Sequence, residues 1–261
     1  MNTRIAAIIT ALIGLPAAVL AQAANPGAIP GVRMQDDTRP AGDLRELKVG
    51  LRAEQMPIEG YYAFACGSNG GTPLEQLDDW TGFKSCARDR ATGLYEVYVE
   101  YDDEGEYLAR MLLEVFGEQD GRLGLRKYYG TKVAGHPVVL SVLFDDAGVA
   151  QSIRAVTDSR ADLDYRRNAY LLRVPLMNAF GSDGWDCAYP PLANGESPIG
   201  NFSVKMRCEK MVATGRRMVL EAHMYRKAGQ TGYDRAGGGL DGDFFSQGRW
   251  EIWSPEYRPA P

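Results

Sequence analysis

Two histidines, His136 and His223, are the chain's only imidazoles, so any Ser-His-Asp or Cys-His relay must be built on one of them. His136 stands in "AGHPVV", ahead of an apolar run, where a histidine before proline reads as a turn or strand-entry residue. His223 shares a strand face with Glu221, the pattern of a solvated or cross-strand pair. Acids concentrate in "YDDEGEY" (101–107), "FDDAG" (144–148) and "DGD" (241–243). Paired carboxylates are the machinery of glycoside hydrolysis, and a cell-wall or polysaccharide hydrolase would rest on Asp102, Asp103 or Glu104. Charge runs at hairpin ends also make ordinary wet turns, and none of these has the alternating oxygen ligands and closing glutamate of a calcium loop. Aromatic rings are more suggestive. Tyr61, Tyr62, Trp80, Tyr128, Tyr129, Trp185, Trp250 and Trp253 are rings of the kind that stack on sugars, although most rings of this size belong to cores. Trp185, Trp250 and Tyr129 are the candidate binding residues; no catalytic residue, metal ligand or cofactor is assigned.

The stretch "ACGSNGGTPLEQL" (65–77) has the look of a phosphate-cradling loop. A Walker-type loop needs G-x-x-x-x-G-K-[ST], yet Thr72 stands where the second glycine belongs, with no lysine after it. The G-x-G-x-x-G pattern does not occur in this stretch, and Cys66 replaces the glycine that a nucleophile elbow around Ser68 requires. The expectation is therefore a pinned turn, followed by a helix with Thr72 as its cap and Pro73 in its first turn.

The pin is a cysteine. The four cysteines, Cys66, Cys86, Cys187 and Cys208, allow three pairings. Their local separations of 20 and 21 residues favour Cys66–Cys86 and Cys187–Cys208. Each closed loop of that size contributes on the order of 3 kcal/mol. A zinc site is the rival reading, but no C-x-x-C pair exists and only His136 and His223 could add nitrogen ligands.

A disulfide framework presupposes an oxidising compartment, and the N-terminus agrees. "MNTRIAAIITALIGLPAAVLAQA" carries Arg4, an apolar run and the A-x-A site Ala21-Gln22-Ala23, which predicts a signal peptide over 1–23. Residues 24–43 are rich in Pro and Gly and read as a flexible leader, 44–257 as a globular domain of one or two lobes, and 258–261 as a loose tail. No transmembrane span is expected in the mature chain. Without residues 1–23 the charge is 28 basic against 34 acidic residues, or −6, which disfavours nucleic acid and anionic membranes as partners.

These groups must be positioned by a mainly antiparallel α+β fold. "LYEVYVEY" (94–101) alternates as a half-buried strand with Tyr95, Val97, Val99 and Tyr101 on one face. "VVLSVLF" (138–144) suits a central strand covered on both faces, joined through "DDAG" to "VAQSIRAVTD" as a hairpin. Ser159 is placed to cap a helix over 160–174 that Pro175 ends or kinks. "FSVKMRC" (202–208) puts Phe202, Val204, Met206 and Cys208 inward and pairs through "VATGR" with "RMVLEAHMY" (217–225). A last strand, "RWEIWS", follows the glycine-rich "AGGGLDGD" (236–243), which reads as mobile. The segment "LKVGLRAEQMPIEGYY" (47–62), with Gly50 before a short helix, resembles small outer-membrane assembly and envelope-maintenance domains in which a helix precedes an antiparallel sheet. The function expected from all this is an exported, non-catalytic, periplasmic or secreted module that binds an envelope component or a protein partner.

Overall fold

The computed structural model describes residues 44, 46–101, 130–212, 215–230 and 244–257. The expected signal peptide, leader, tail and glycine-rich loop lie outside them, as do Tyr128, Tyr129, Asp102, Asp103 and Glu104. Nine strands make one antiparallel sheet: β1 Tyr61–Cys66, β2 Tyr95–Tyr101, β3 Thr131–Val133, β4 His136–Phe144, β5 Ala150–Thr157, β6 Asp186–Ala188, β7 Val204–Met211, β8 Arg217–Tyr225 and β9 Phe245–Trp253. Their order is β1-β2-β4-β5-β9-β8-β7-β6, with β3 pairing β4. Among the described residues two short α-helices, α1 (Leu163–Arg167) and α2 (Arg173–Ala179), and three 3-10 turns accompany the sheet in the α+β fold. Both disulfides form as expected, Cys66–Cys86 beside β1 and Cys187–Cys208 between β6 and β7. The two disulfide-bearing halves of the chain thus share one sheet.

Hairpin chemistry sets the register. At the β4–β5 turn Asp145 Oδ1 accepts from the amides of Ala147 and Val149, each at 2.9 Å, and Gly148 takes φ 76°. That turn places Leu140 opposite Ala155 and Ser141 opposite Arg154. Because side chains alternate between faces, the register also decides the cover of each face. One face carries Val97, Leu140, Val142, Ile153, Leu220, Trp250 and Ile252, all completely buried. Trp80 closes its β1 end through edge contacts with Tyr61, Phe64 and Phe144, and Phe180 stacks on Trp250 at its other end with 5.4 Å between ring centroids. The opposite, outer face carries Glu96, Ser141, Arg154, Arg249 and Glu251.

Several local expectations are corrected. No helix follows Thr72. The Cys66–Cys86 bond brings the chain back along β1, where Leu74 N donates to Cys66 O (2.9 Å), Cys66 N to Glu75 O (2.7 Å) and Leu77 N to Phe64 O (2.8 Å). These backbone groups find partners on a strand, so no helical ladder forms. A 3-10 helix begins only at Trp80, capped by Asp79, whose Oδ1 accepts from Thr81 N. The expected helix over 160–174 is broken into α1, a 3-10 turn Ala169–Leu172 and α2, and Asp162 rather than Ser159 precedes its first turn. The break follows from packing: Ala169 O and Leu172 press so closely on Gly248 that a Cβ there would lie 2.7 Å from the carbonyl oxygen. Pro175 neither ends nor kinks α2 but occupies its first turn, where an amide has no partner to lose. Phe202 is 49% exposed and meets Tyr170 at its edge instead of pointing inward. After Gly50 there is only a 3-10 turn, Ala53–Gln55. Finally, β2 is buried on both faces for most of its length, since Glu96 is 2% exposed.

Candidate functional site

The glycine turn folds onto the outer face of the sheet. Asn69 and Gly70 take φ of 58° and 84°, and Gly71 N donates to Ser68 O at 3.1 Å. A Cβ on Gly67 would lie 2.3 Å from Glu96 Cγ, and one on Gly70 would lie 2.6 Å from Val156 Cβ. Glycine is thus required here because the turn touches its own sheet. Gly67 N donates to Glu96 O (2.8 Å), Asn69 N to Glu96 Oε2 (2.7 Å), and Arg249 Nη2 to Asn69 Oδ1 (2.7 Å).

Next to the turn is a buried ionic cluster. Arg154 is 1% exposed, in the middle of β5. Its Nη1 donates to Asp89 Oδ2 (2.9 Å) and Glu96 Oε2 (3.1 Å), and its Nε to Glu251 Oε1 (2.7 Å). Glu251 also accepts from Arg249 Nε (2.9 Å) and Nη2 (2.6 Å), and from Trp253 Nε1 (3.1 Å). Burial opposes charge on Asp89, but the Arg154 guanidinium and the amides of Ala91 and Thr92 outweigh it and hold the carboxyl below its usual range. Burial likewise opposes charge on Arg154, and Glu251, Glu96 and Asp89 outweigh it. Three carboxylates against two guanidinia leave the cluster closely balanced, with nearly every donor and acceptor spoken for; Glu96 Oε1 is the exception, buried without a hydrogen-bond partner. With the glycine turn, the cluster joins five segments of chain and offers a substrate little room.

The structure scatters the residues singled out in the sequence. Trp250 is fully buried and stacked on Phe180, so it serves the core and presents no ring face to a ligand. Trp185 is half-buried, donates Nε1 to Gly181 O at 2.8 Å and lies under Lys210 Nζ. Tyr129 lies outside the described residues. His136 opens β4, and its burial pushes the imidazole pKa down. His223 stacks on Phe245, 5.8 Å between centroids, with its Nε2 3.8 Å from Glu221 Oε2. These groups do not converge. Among the described residues, no group of three His, Cys, Asp or Glu side chains is arranged to hold a metal ion.

What does converge was only half visible in the sequence. A cleft of about 360 Å³ opens where the C-terminal end of β5, α1, the end of β8 and the start of β9 meet. Arg166 and Arg167 enter it from α1 and Lys227 from beyond β8, while Leu163, Phe244 and Phe245 supply apolar walls. Lys227 Nζ sits 3.7 Å from the Phe245 ring centroid, so among the described residues this ammonium is partnered by a ring and not by a carboxylate. Asp158 is the acid of the lining, is 3% exposed, and is held by Arg160 through Nε (2.9 Å) and Nη2 (2.6 Å). Ser246 Oγ accepts from Tyr170 N at 3.2 Å and keeps its proton for donation. Size and lining fall in the range of small-ligand sites. The sequence signal was "RRNAYLLR", which offers arginines from a helix; its meeting with Lys227 and Phe245 depends on the crossover from β5 to β9.

No helix among the described residues is long and apolar enough to cross a membrane, and the two disulfides are compatible with an extracellular or periplasmic location. Comparison with protein-family models, with curated proteins and with solved structures returns no match for this chain.

Proposed function

We propose that the chain is an exported, non-catalytic module that binds an envelope component or a protein partner, and that it does so at the cleft between α1 and the β8–β9 hairpin. One observation carries this reading: the distribution of charge. The buried acids Asp89, Glu96, Glu251 and Asp158 are each held by an arginine, and the cleft, which Asp158 lines, otherwise presents cations and rings among the described residues. A hydrolase needs a carboxyl group free to give or take a proton beside its substrate. A binding site needs only a concave, partly apolar surface with a few polar groups to orient what it holds. Export is supported by the signal-like N-terminus together with the disulfides.

The test is to incubate the purified chain with peptidoglycan and with acidic polysaccharides, following both co-sedimentation and release of soluble fragments. Retention without fragment release is the expected result. Fragment release that Asp103→Asn or Glu104→Gln abolishes, with the fold intact, would replace the binding reading by the hydrolase.

A further inference from the structure

We infer that the cleft takes an organic anion: a carboxylate or phosphate group carried on an apolar or planar body. This rests on the cleft being the binding site. Among the described residues three cations line it, Arg166, Arg167 and Lys227, against one carboxylate, Asp158, which Arg160 already holds in a two-point contact. The lining is therefore positive although the chain as a whole is acidic, and a positive concavity on an acidic protein selects anions over the bulk surface. Lys227 gives the selection its direction. Its ammonium lies on the Phe245 ring at 3.7 Å, and Phe245 is itself wedged between the strand partners Tyr225, in edge contact at 5.5 Å, and His223. A cation on a ring keeps hydrogens to donate, and among the described residues no carboxylate pairs with Lys227, so an incoming anion meets a positioned donor.

The remaining lining sets the body of the ligand. Leu163, Ala169, Ala228 and Phe244 make an apolar wall beside the cations, and Ser246 and Gln247 add neutral polar groups. Inorganic phosphate would leave that wall wet, and a neutral aromatic would leave the cations unused. A ligand with both parts uses both. The volume of about 360 Å³ accommodates a group of roughly one ring plus its anion, whether free or at the exposed end of a larger molecule. An anionic lipid headgroup and a soluble aromatic acid share this chemistry.

Calorimetric titration of the purified chain with phenyl phosphate, inorganic phosphate and benzyl alcohol tests the inference. We expect saturable binding of phenyl phosphate in the submillimolar range and at least tenfold weaker binding of inorganic phosphate. Lys227→Met and Arg167→Gln are each expected to weaken phenyl phosphate at least fivefold, and raising NaCl from 0.05 to 0.5 M should weaken it further. Amide shifts at Ser246 and Gln247 in NMR spectra place the ligand. Co-sedimentation with phosphatidylglycerol vesicles beyond phosphatidylcholine vesicles, competed by phenyl phosphate, assigns a lipid source; phenyl phosphate binding without it assigns a soluble one, and either supports the inference. Benzyl alcohol binding as tightly as phenyl phosphate would overturn the anion and leave the binding module standing. No saturable binding of any probe at the cleft, or phenyl phosphate affinity indifferent to both variants, would overturn the inference itself. Release of phosphate from phenyl phosphate would instead overturn the non-catalytic reading.

Discussion

The cluster around Arg154 and the cleft around Lys227 are both centred on basic side chains, but those side chains stand in opposite situations. Arg154 is 1% exposed and meets three carboxylates; Lys227 is exposed and meets an aromatic ring. In the first region a charge survives burial because its partners neutralise it and fill most of its hydrogen bonds. Removing one member leaves the others uncompensated in a dry place, so the cluster behaves as a structural unit. In the second region Lys227 is exposed to water, and little is lost if it disappears. Enclosure, and not the number of charges, separates a group that holds the fold from a group that is available to a ligand.

The largest expected effect breaks the first region. Arg154→Met should destabilise the chain by about 3–5 kcal/mol, because it strands Asp89, Glu96 and part of the Glu251 shell. Urea unfolding followed by tryptophan fluorescence measures it, and a loss below about 1 kcal/mol would mean that the cluster is better hydrated than its burial implies. Next comes the turn that covers it. Gly70→Ala places a Cβ 2.6 Å from Val156 at a φ of 84°, and is expected to cost about 2–4 kcal/mol in the same assay. A third, smaller effect is on pH dependence. Asp89 has a folded-state pKa below its unfolded value, so its contribution is present above about pH 3.9 and is lost as pH falls through the folded value. Stability should therefore fall on acidification below that range, and Asp89→Asn should flatten this limb of the stability–pH curve; an unchanged limb would assign it to other carboxylates. The smallest effect sharpens the contrast. Lys227→Met should change stability by no more than about 0.5 kcal/mol while reducing anion binding, a separation that Arg154 variants cannot show.

Strand alternation was the most legible feature of the chain. Tyr95, Val97, Val99 and Tyr101 do share a face, as do Met218, Leu220 and Ala222, because one pleat face must be buried whatever covers the other. The local disulfides were legible because short separations bring cysteines together through one local loop of chain. The ionic cluster was not, since Asp89 with Glu96, Arg154, and Glu251 stand in three stretches far apart in sequence that meet only through the sheet order β2-β4-β5-β9. Its trace was an arginine in the middle of the apolar "SIRAV", a charge that a buried strand carries only with partners. Helix 160–174 misled for a related reason: its periodicity is real, but Gly248 invites a backbone contact that a straight helix could not make. Trp250 misled because ring chemistry is the same in a core and in a binding site.

The fold-back of residues 74–77 along β1 has a consequence for association. An outermost strand presents unpaired amides and carbonyls on which a second chain can add. Here the loop closed by Cys66–Cys86 supplies those groups with partners from within the chain, through Cys66, Leu74 and Leu77. At the far side of the sheet β6 is only three residues long and is bonded to β7 through Cys187–Cys208, so it offers a short template. The Cys66–Cys86 link therefore shields part of the β1 edge from recruiting a neighbour, while the β6 edge is limited by its length. In a reducing environment that shield rests on hydrogen bonds alone.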